Sequence, residues 1–424
     1  MIIQYATEPF KITEKAYWVS EKRETIYWLD DYGSKAHLKM WVRDERDLNA
    51  SESIEFLWED TDQPKEVNPV LRDHIHSGRV FRINTAHKDF EQWLEETSKK
   101  LTAEEYFVAG EYISNQKRIK KRLNILGLGD VGSTMALALC LYGKDIIKEI
   151  GIFDLDENRV SRWEQELNQI AEPLTDYLPK VKPITLENIF DCDLFAFTAS
   201  VGVPPISITE GDVRVVQFKG NAKLVAYYAK MAVDVGFKGI FAVVSDPVDQ
   251  LCRHAFETSN RDESGNWHGK GLAPEQIRGY GLGVMNGRAA YYAQKDDQMF
   301  APEGRVYGPH GQGLVIANNW RIGQYDEVIS EKWTNLTITA NLQMRAIGHK
   351  PYIAPAVASG AISLTKTLLG EKHYSCISFD GFYYGCLNQY IAGMDIFERL
   401  ESDPELIQKI KKSAEELDIQ WQNL

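Results

Sequence analysis

The 424-residue chain predicts an α/β protein: a parallel sheet covered by helices on both faces, an α+β portion behind it, and a small α+β domain in front. Three observations carry this. Near-continuous apolar runs alternate with helical stretches from residue 122 onward. The character of the chain changes near residue 118, before which short aromatic-rich runs recur between turn formers. A glycine-rich turn joins the first apolar run to the first small-residue helix.

Residues 1–118 come first. The runs "ETIYWLDD", "HLKMWVRD", "SIEFLWED" and "GRVFRIN" have the composition of strands, separated by "DYGSK" and "DTDQPKEVNP". A helical stretch, "HKDFEQWLEETSKKL", sets Phe90, Trp93 and Leu94 on one face. Trp18, Trp28, Trp41, Trp58 and Trp93 fall here, and residues of this kind fill the core of a small sheet or line a ligand groove. His74 and His76 in "DHIHSG" have no third ligand nearby in sequence, so no metal site is expected.

Residues 119–270 follow. "RLNILGLG" (122–129), "EIGIFDLD" (149–156), "DLFAFTA" (193–199) and "GIFAVVSDP" (239–247) read as strands buried on both sides, with "STMALALCLYG" a helix between the first two. Such strands belong to parallel sheets sandwiched between helices. Residues 271–424 complete the chain as an α+β substrate domain.

Bulk properties narrow the function. A net charge of −13 argues against a protein that coats nucleic acid or anionic membrane, because its field repels phosphate. The basic run "KRIKKR" at 117–122 reads as a solvated linker. Cys140, Cys192, Cys252, Cys376 and Cys386 are scattered without CxxC spacing, as expected of reduced thiols in a cytoplasmic protein. The N-terminus lacks a signal-peptide pattern and no apolar run reaches membrane-spanning length, so a soluble protein is expected.

"ILGLGDVG" supplies Gly127, Gly129 and Gly132 in GxGxxG spacing between a strand and a helix. The first glycine permits the tight turn, the second lets backbone approach a pyrophosphate, and the third lets helix and strand pack closely. The helix N-terminus offers unpaired N–H groups to the phosphates. Asp154, 22 residues past Gly132, closes the next strand where a carboxylate would accept from both ribose hydroxyls. It would repel a 2′-phosphate, which favours NAD over NADP. This is the signature of a Rossmann-type NAD domain.

From about residue 120 to 424 the chain resembles the lactate/malate dehydrogenase family, through several motifs in one order. "ILGLGDVGS", "DCDLFAFTAS", "VVSDPVD", "GYGLGVMNGRAA", "YGPHGQG", "PYIAPAVASGAISLTKTLL" and "SFDGFYYG" each look like a segment of that family. The resemblance implies that His310 exchanges the proton of a 2-hydroxy acid while hydride passes to the nicotinamide. It implies that Arg288 grips the substrate carboxylate, as a planar guanidinium does through two parallel bonds. It also implies that Arg214, seven residues before Asn221, polarises the C2 oxygen. A homo-oligomer is implied too. Residues 1–118 have no counterpart in the usual family member.

Three departures qualify this. The family orients its histidine with an aspartate three positions before the carboxylate-binding arginine, where this chain has Met285, followed by Asn286. Asp246 in "SDP" replaces an asparagine. A carboxylate there only accepts unless protonated, so it either becomes the partner of His310 or meets a cationic group on the substrate. The segment "ASVGVPPISITEGDVR" is longer than the usual loop and has Arg214 as its only arginine, which argues against malate. Val201, Val203, Ile206 and Ile208 suggest a more apolar substrate side chain.

The expected function is therefore NAD-dependent interconversion of a 2-hydroxy acid and its 2-oxo acid. The alternative is a catalytically weak NAD-binding sensor or scaffold derived from the family, favoured by Met285 and the added domain. An NAD- and metal-dependent glycosidase would need a Cys-His metal pair near Met285 and Asn286, which is not there.

Overall fold

The computed structural model describes residues 120–174, 178–201, 213–266, 271–301, 303–379, 382–391, 394–397 and 402–424, together with the backbone of six short strands between residues 4 and 84. Four of those strands, Thr25–Leu29, Ala36–Arg43, Ser51–Trp58 and Val80–Asn84, pair antiparallel in one sheet. The helix expected at 87–101, His74, His76 and the tryptophan side chains before residue 118 lie outside the described residues.

The main sheet begins with β1 (Lys121–Leu126), which leads through the glycine turn into α1 (Asp130–Tyr142). Next come β2 (Ile147–Phe153), α2 (Glu157–Asn168), β3 (Lys180–Pro183) and β4 (Leu194–Phe197). Then follow α3 (Val213–Asp234), β5 (Ile240–Val243), α4 (Val248–Ser259) and β6 (Ile277–Gly279). These six strands are parallel, in spatial order β3-β2-β1-β4-β5-β6. Beyond β6 the chain forms α5 (Leu282–Lys295), a small hairpin of β7 (Arg305–Tyr307) and β8 (Val315–Ala317), and α6 (Glu327–Ala346). A π-helical stretch, Pro355–Ile362, runs into α7 (Ser363–Leu369). Finally β9 (His373–Phe379), β10 (Phe382–Ile391) and β11 (Met394–Phe397) extend the same sheet antiparallel from β6, and α8 (Pro404–Gln422) closes the chain. The sheet thus continues past residue 270 into the C-terminal portion.

The pleat explains why the parallel strands read as unbroken apolar runs. On β4, Phe195 and Phe197 pack on one side with Val225 and Ala229 of α3 and Leu251 and Ala255 of α4. Leu194 and Ala196 point to the other, with Met135, Ala136 and Leu139 of α1 and Leu364 of α7. Alternate residues of a strand face opposite layers, and here both layers are apolar. Each such large side chain contributes about 1.5–3 kcal/mol on burial.

Helix starts are fixed by side chains where the sequence supplies them. Asp156 caps α2, accepting from the N–H groups of Asn158 and Arg159 at 3.1 and 3.2 Å. Asp326 caps α6 through Ile329 N–H at 2.9 Å. By contrast α1 begins at Gly129 with no side-chain cap, which leaves its first N–H groups for a ligand.

Candidate active site

The carboxyl ends of β1, β2, β4, β5 and β6 carry the residues that matter, around the point where strand order reverses between β1 and β4. Open α/β sheets bind their ligands there. Gly127 turns at φ +93°, and a Cβ on Gly132 would lie 2.0 Å from Gly127 O and 2.5 Å from Thr198 Oγ1. Only hydrogen fits between helix and strand at that position. Above Gly129, in contrast, nothing stands within 4 Å of where a Cβ would be. An anionic group can therefore approach both the backbone and the uncapped start of α1.

At the end of β2, Asp154 Oδ2 accepts from Leu128 N–H at 2.7 Å and Oδ1 from Asp156 N–H at 3.0 Å, and Arg159 Nη1 lies 3.1 Å from Oδ2. Partial burial pushes this carboxyl up, but the two N–H donors and Arg159 outweigh it and hold the pKa below the usual value. The group is ionised at neutral pH, as recognition of ribose hydroxyls needs. Glycine turn, free helix start and acceptor together fit a dinucleotide.

His310 sits in the loop between β7 and β8. Its Nδ1 lies 2.9 Å from Asp246 Oδ1, and its backbone N–H donates to Asp249 Oδ2 at 3.1 Å. The ring is mostly enclosed, with the side chain 16% exposed, and Nε2 makes no hydrogen bond among the described residues. Gly281, after β6, lies against the ring: a Cβ there would be 2.8 Å from His310 Cβ and Cγ. Its position is fixed in turn by Ser359 Oγ, which donates to Gly281 O and accepts from Val284 N–H, both at 2.8 Å.

Arg288 projects from α5. Its Nη1 meets Met285 Sδ at 3.7 Å and Thr337 O at 3.5 Å, and no carboxylate pairs with it among the described residues. Burial lowers its pKa, opposed by Tyr292 and by the nearby charge of Asp246. A half-buried guanidinium with spare donors is ready to receive an anion. Met285 itself is buried, at 3% exposure. The structure thus brings His310 and Asp246 together, with Arg288 near enough to feel Asp246. Arg214 lies in the first turn of α3, but its side chain, and Val203, Ile206 and Ile208, fall outside the described residues. Val201 is largely exposed.

In the sequence Asn221 serves only as a spacing mark for Arg214, and its own role was missed. From α3 its buried amide donates to Asp246 O at 2.7 Å and accepts from Val201 N–H at 2.9 Å, tying the loops after β4 and β5 together. The "GN" pair was visible, but nothing in it marks a buried side chain. Gly281 and Asp249 were likewise unremarked within quoted motifs.

Strand order, glycine turn and acidic residue define a Rossmann-type dinucleotide-binding protein. Residues 121–268 match the family model described as lactate/malate dehydrogenase, NAD binding domain. The L-lactate dehydrogenase of Staphylococcus epidermidis is 27% identical over 225 residues, 51% of this chain and 64% of that enzyme. That of Staphylococcus saprophyticus is 28% identical over 278 residues, 62% of this chain and 79% of its own length. In fold the chain is similar to the minor L-lactate dehydrogenase of Enterococcus mundtii, with a TM-score of 0.59 and 19% identity over 72% of this chain and 98% of that one. It is also similar to the malate dehydrogenase of Archaeoglobus fulgidus solved in complex with NADH, with a TM-score of 0.59 and 18% identity over 72% and 99%. Residues 121–268 are thus an NAD-binding domain of the lactate/malate dehydrogenase type, and the cofactor is NAD.

Proposed function

We propose that this protein interconverts a 2-hydroxy acid and its 2-oxo acid, with His310 as the acid/base. The observation that carries the reading is the 2.9 Å contact of His310 Nδ1 with Asp246. A carboxylate accepts, so Nδ1 carries the hydrogen and Nε2 is the free basic nitrogen. In the oxidising direction Nε2 takes the hydroxyl proton and Asp246 stabilises the resulting imidazolium. Bound NAD supplies the acceptor for the hydride leaving the same carbon. Arg288 holds the substrate carboxylate and so fixes which carbon reacts. Arg214, seven residues before Asn221, is assigned to the C2 oxygen, where charge develops.

The sensor reading drew on the missing carboxylate at Met285. Asp246 arrives from the turn after β5 to occupy that role, which weighs against the sensor. Arg214 is the only arginine of its loop, which supports a monocarboxylic 2-oxo acid with an apolar side chain over oxaloacetate. The same reading has the protein work as a cytoplasmic homo-oligomer. Among the described residues no helix is long and apolar enough to cross a membrane.

The test is NADH oxidation against a panel of 2-oxo acids, from pyruvate through branched and aromatic examples to oxaloacetate, with His310→Asn beside it. Turnover on one group, lost in the variant, is expected. NADH binding without turnover across the panel would count against the reading.

A further inference from the structure

Asp249 stands three residues after Asp246, in the first turn of α4, and is only 6% exposed. An acidic residue there would ordinarily point to solvent. Instead its carboxylate turns inward and accepts from His310 N–H at 3.1 Å, with the Cys376 thiol of β9 beside it. Burial raises its pKa, opposed by the Cys376 thiol and by the His310 N–H. Burying a carboxyl costs free energy that its hydrogen bonds must offset.

The loop between β7 and β8 has few other anchors. Gly308 N–H donates to Gly385 O at 2.9 Å at its start, and Ser413 Oγ donates to Gly313 O at 2.5 Å at its end. Between them, the Asp249 bond is the one that reaches the backbone of residue 310 among the described residues. His310 is therefore gripped twice from one short segment, on the ring by Asp246 and on the main chain by Asp249.

We propose that Asp249 is a positioning residue for His310: by fixing the main chain at residue 310 it sets the imidazole between Asp246 and the substrate. It acts through His310 and touches no reacting atom. This rests on the reading of His310 as the acid/base, and the experiment separates the two. A displacement of about 1 Å at a reacting group can cost about 10²-fold in rate. Asp249→Leu, which fills the space but accepts nothing, is expected to lower kcat about 10²-fold while NADH affinity, read by fluorescence titration, stays the same. Asp249→Asn, which keeps an acceptor oxygen facing His310 N–H, is expected to recover most of that loss.

A second readout needs no turnover. In full-length protein labelled with 15N-histidine, the Nδ1–H resonance of His310, assigned by its absence in His310→Asn, reports the Asp246 bond. It is expected to be protected from exchange in the wild type and in Asp249→Asn, and lost in Asp249→Leu. Should Asp249→Leu fail to fold, Asp249→Ser, too short to reach the loop, takes its place in both measurements. An unchanged resonance in the folded leucine or serine variant overturns the proposal, as does a kcat loss matched by an equal loss of folded, NADH-binding protein. A wild type inactive on every oxo acid, whose resonance still disappears in Asp249→Leu, sinks the dehydrogenase reading and leaves the positioning role standing.

Discussion

His310 Nδ1 lies 2.9 Å from Asp246 Oδ1, so the histidine has a carboxylate partner although Met285 occupies the position where the family places one. The partner comes from the turn between β5 and α4 instead of from α5. Asp246→Asn puts an amide at this contact and removes the charge that stabilises an imidazolium. In a different enzyme class the same exchange beside a catalytic histidine costs about 10⁴ in turnover. The expected result here is a fall in kcat of about 10²–10⁴ with NADH affinity unchanged. Equal kcat in the two proteins would dismiss Asp246 as the partner.

Arg288 is the second prediction. Its guanidinium has no carboxylate partner among the described residues, and the proposed function assigns it to the substrate carboxylate. Arg288→Lys keeps the charge but loses the fork that fits a carboxylate. A charged hydrogen bond is worth about 1.5–3 kcal/mol, so KM for the oxo acid should rise about 10- to 100-fold. Steady-state kinetics at saturating NADH measures this, and an unchanged KM would place the carboxylate elsewhere.

What the sequence disclosed follows from how far apart the interacting residues are. The glycine turn and Asp154 are local patterns whose meaning comes from neighbours within one βαβ unit. Strands β1, β2, β4 and β5 were legible because two-sided burial leaves an unbroken apolar run, whereas β3, the sheet-edge strand Lys180–Pro183, is mostly exposed and left no such run. His310 and Asp246 were both visible, but their contact joins residues 64 apart and depends on how a hairpin loop meets a turn. Asn221 and Asp249 have the look of ordinary helix residues, since burial of a polar side chain leaves no trace in spacing. The antiparallel addition of β9 to β11 and the buried cluster around Arg278 were not legible either, for Arg278 and its partner Asp395 stand 117 residues apart.

Cofactor choice gives a third prediction. If Asp154 meets the ribose, as its place at the end of β2 leads us to propose, it would repel a 2′-phosphate, and Arg159 Nη1, 3.1 Å from it, is a cation beside that site. Asp154→Asn keeps an acceptor for Leu128 N–H, removes the repulsion and frees Arg159. Two like charges at 4 Å repel by about 1 kcal/mol at the dielectric of water and about 4 kcal/mol near a protein surface. The ratio of NADPH to NADH affinity should therefore rise about tenfold or more. Fluorescence titration with both cofactors decides it, and a ratio that does not move would show that Asp154 takes no part in the choice.

The last prediction concerns pH and the buried cluster behind the site. Arg278, fully buried on β6, pairs with Asp395 and bonds Asn388, while its Nη2 reaches Ser375 Oγ at 3.2 Å. His373 lies beside it, its Nδ1 2.9 Å from Glu371 O and its Nε2 2.9 Å from Thr367 Oγ1. A carbonyl only accepts, so Nδ1 carries the hydrogen and Nε2 receives one from a hydroxyl. Protonating Nε2 would break that bond and set a second cation next to Arg278. Burial first, and Arg278 second, push the His373 pKa down to about 3. Its unfolded-state value is about 6.5. The unfolded chain therefore binds this proton more readily, and the stability His373 contributes is present above about pH 6.5 and lost as pH falls toward 3. Asp395 works the other way. Burial against the pull of Arg278 raises it to about 6, so its contribution is present below its unfolded value and fades as pH rises through 6. His373→Gln removes the first effect and leaves the second. Relative to the variant, the wild type should lose about 1.4 kcal/mol per pH unit below about 6.5. Urea midpoints of the two proteins at pH 8, 7, 6, 5 and 4 read this directly: the gap stays constant above 6.5 and closes in the variant's favour below it. Midpoints that fall in parallel would mean that His373 titrates alike in the folded and unfolded chain.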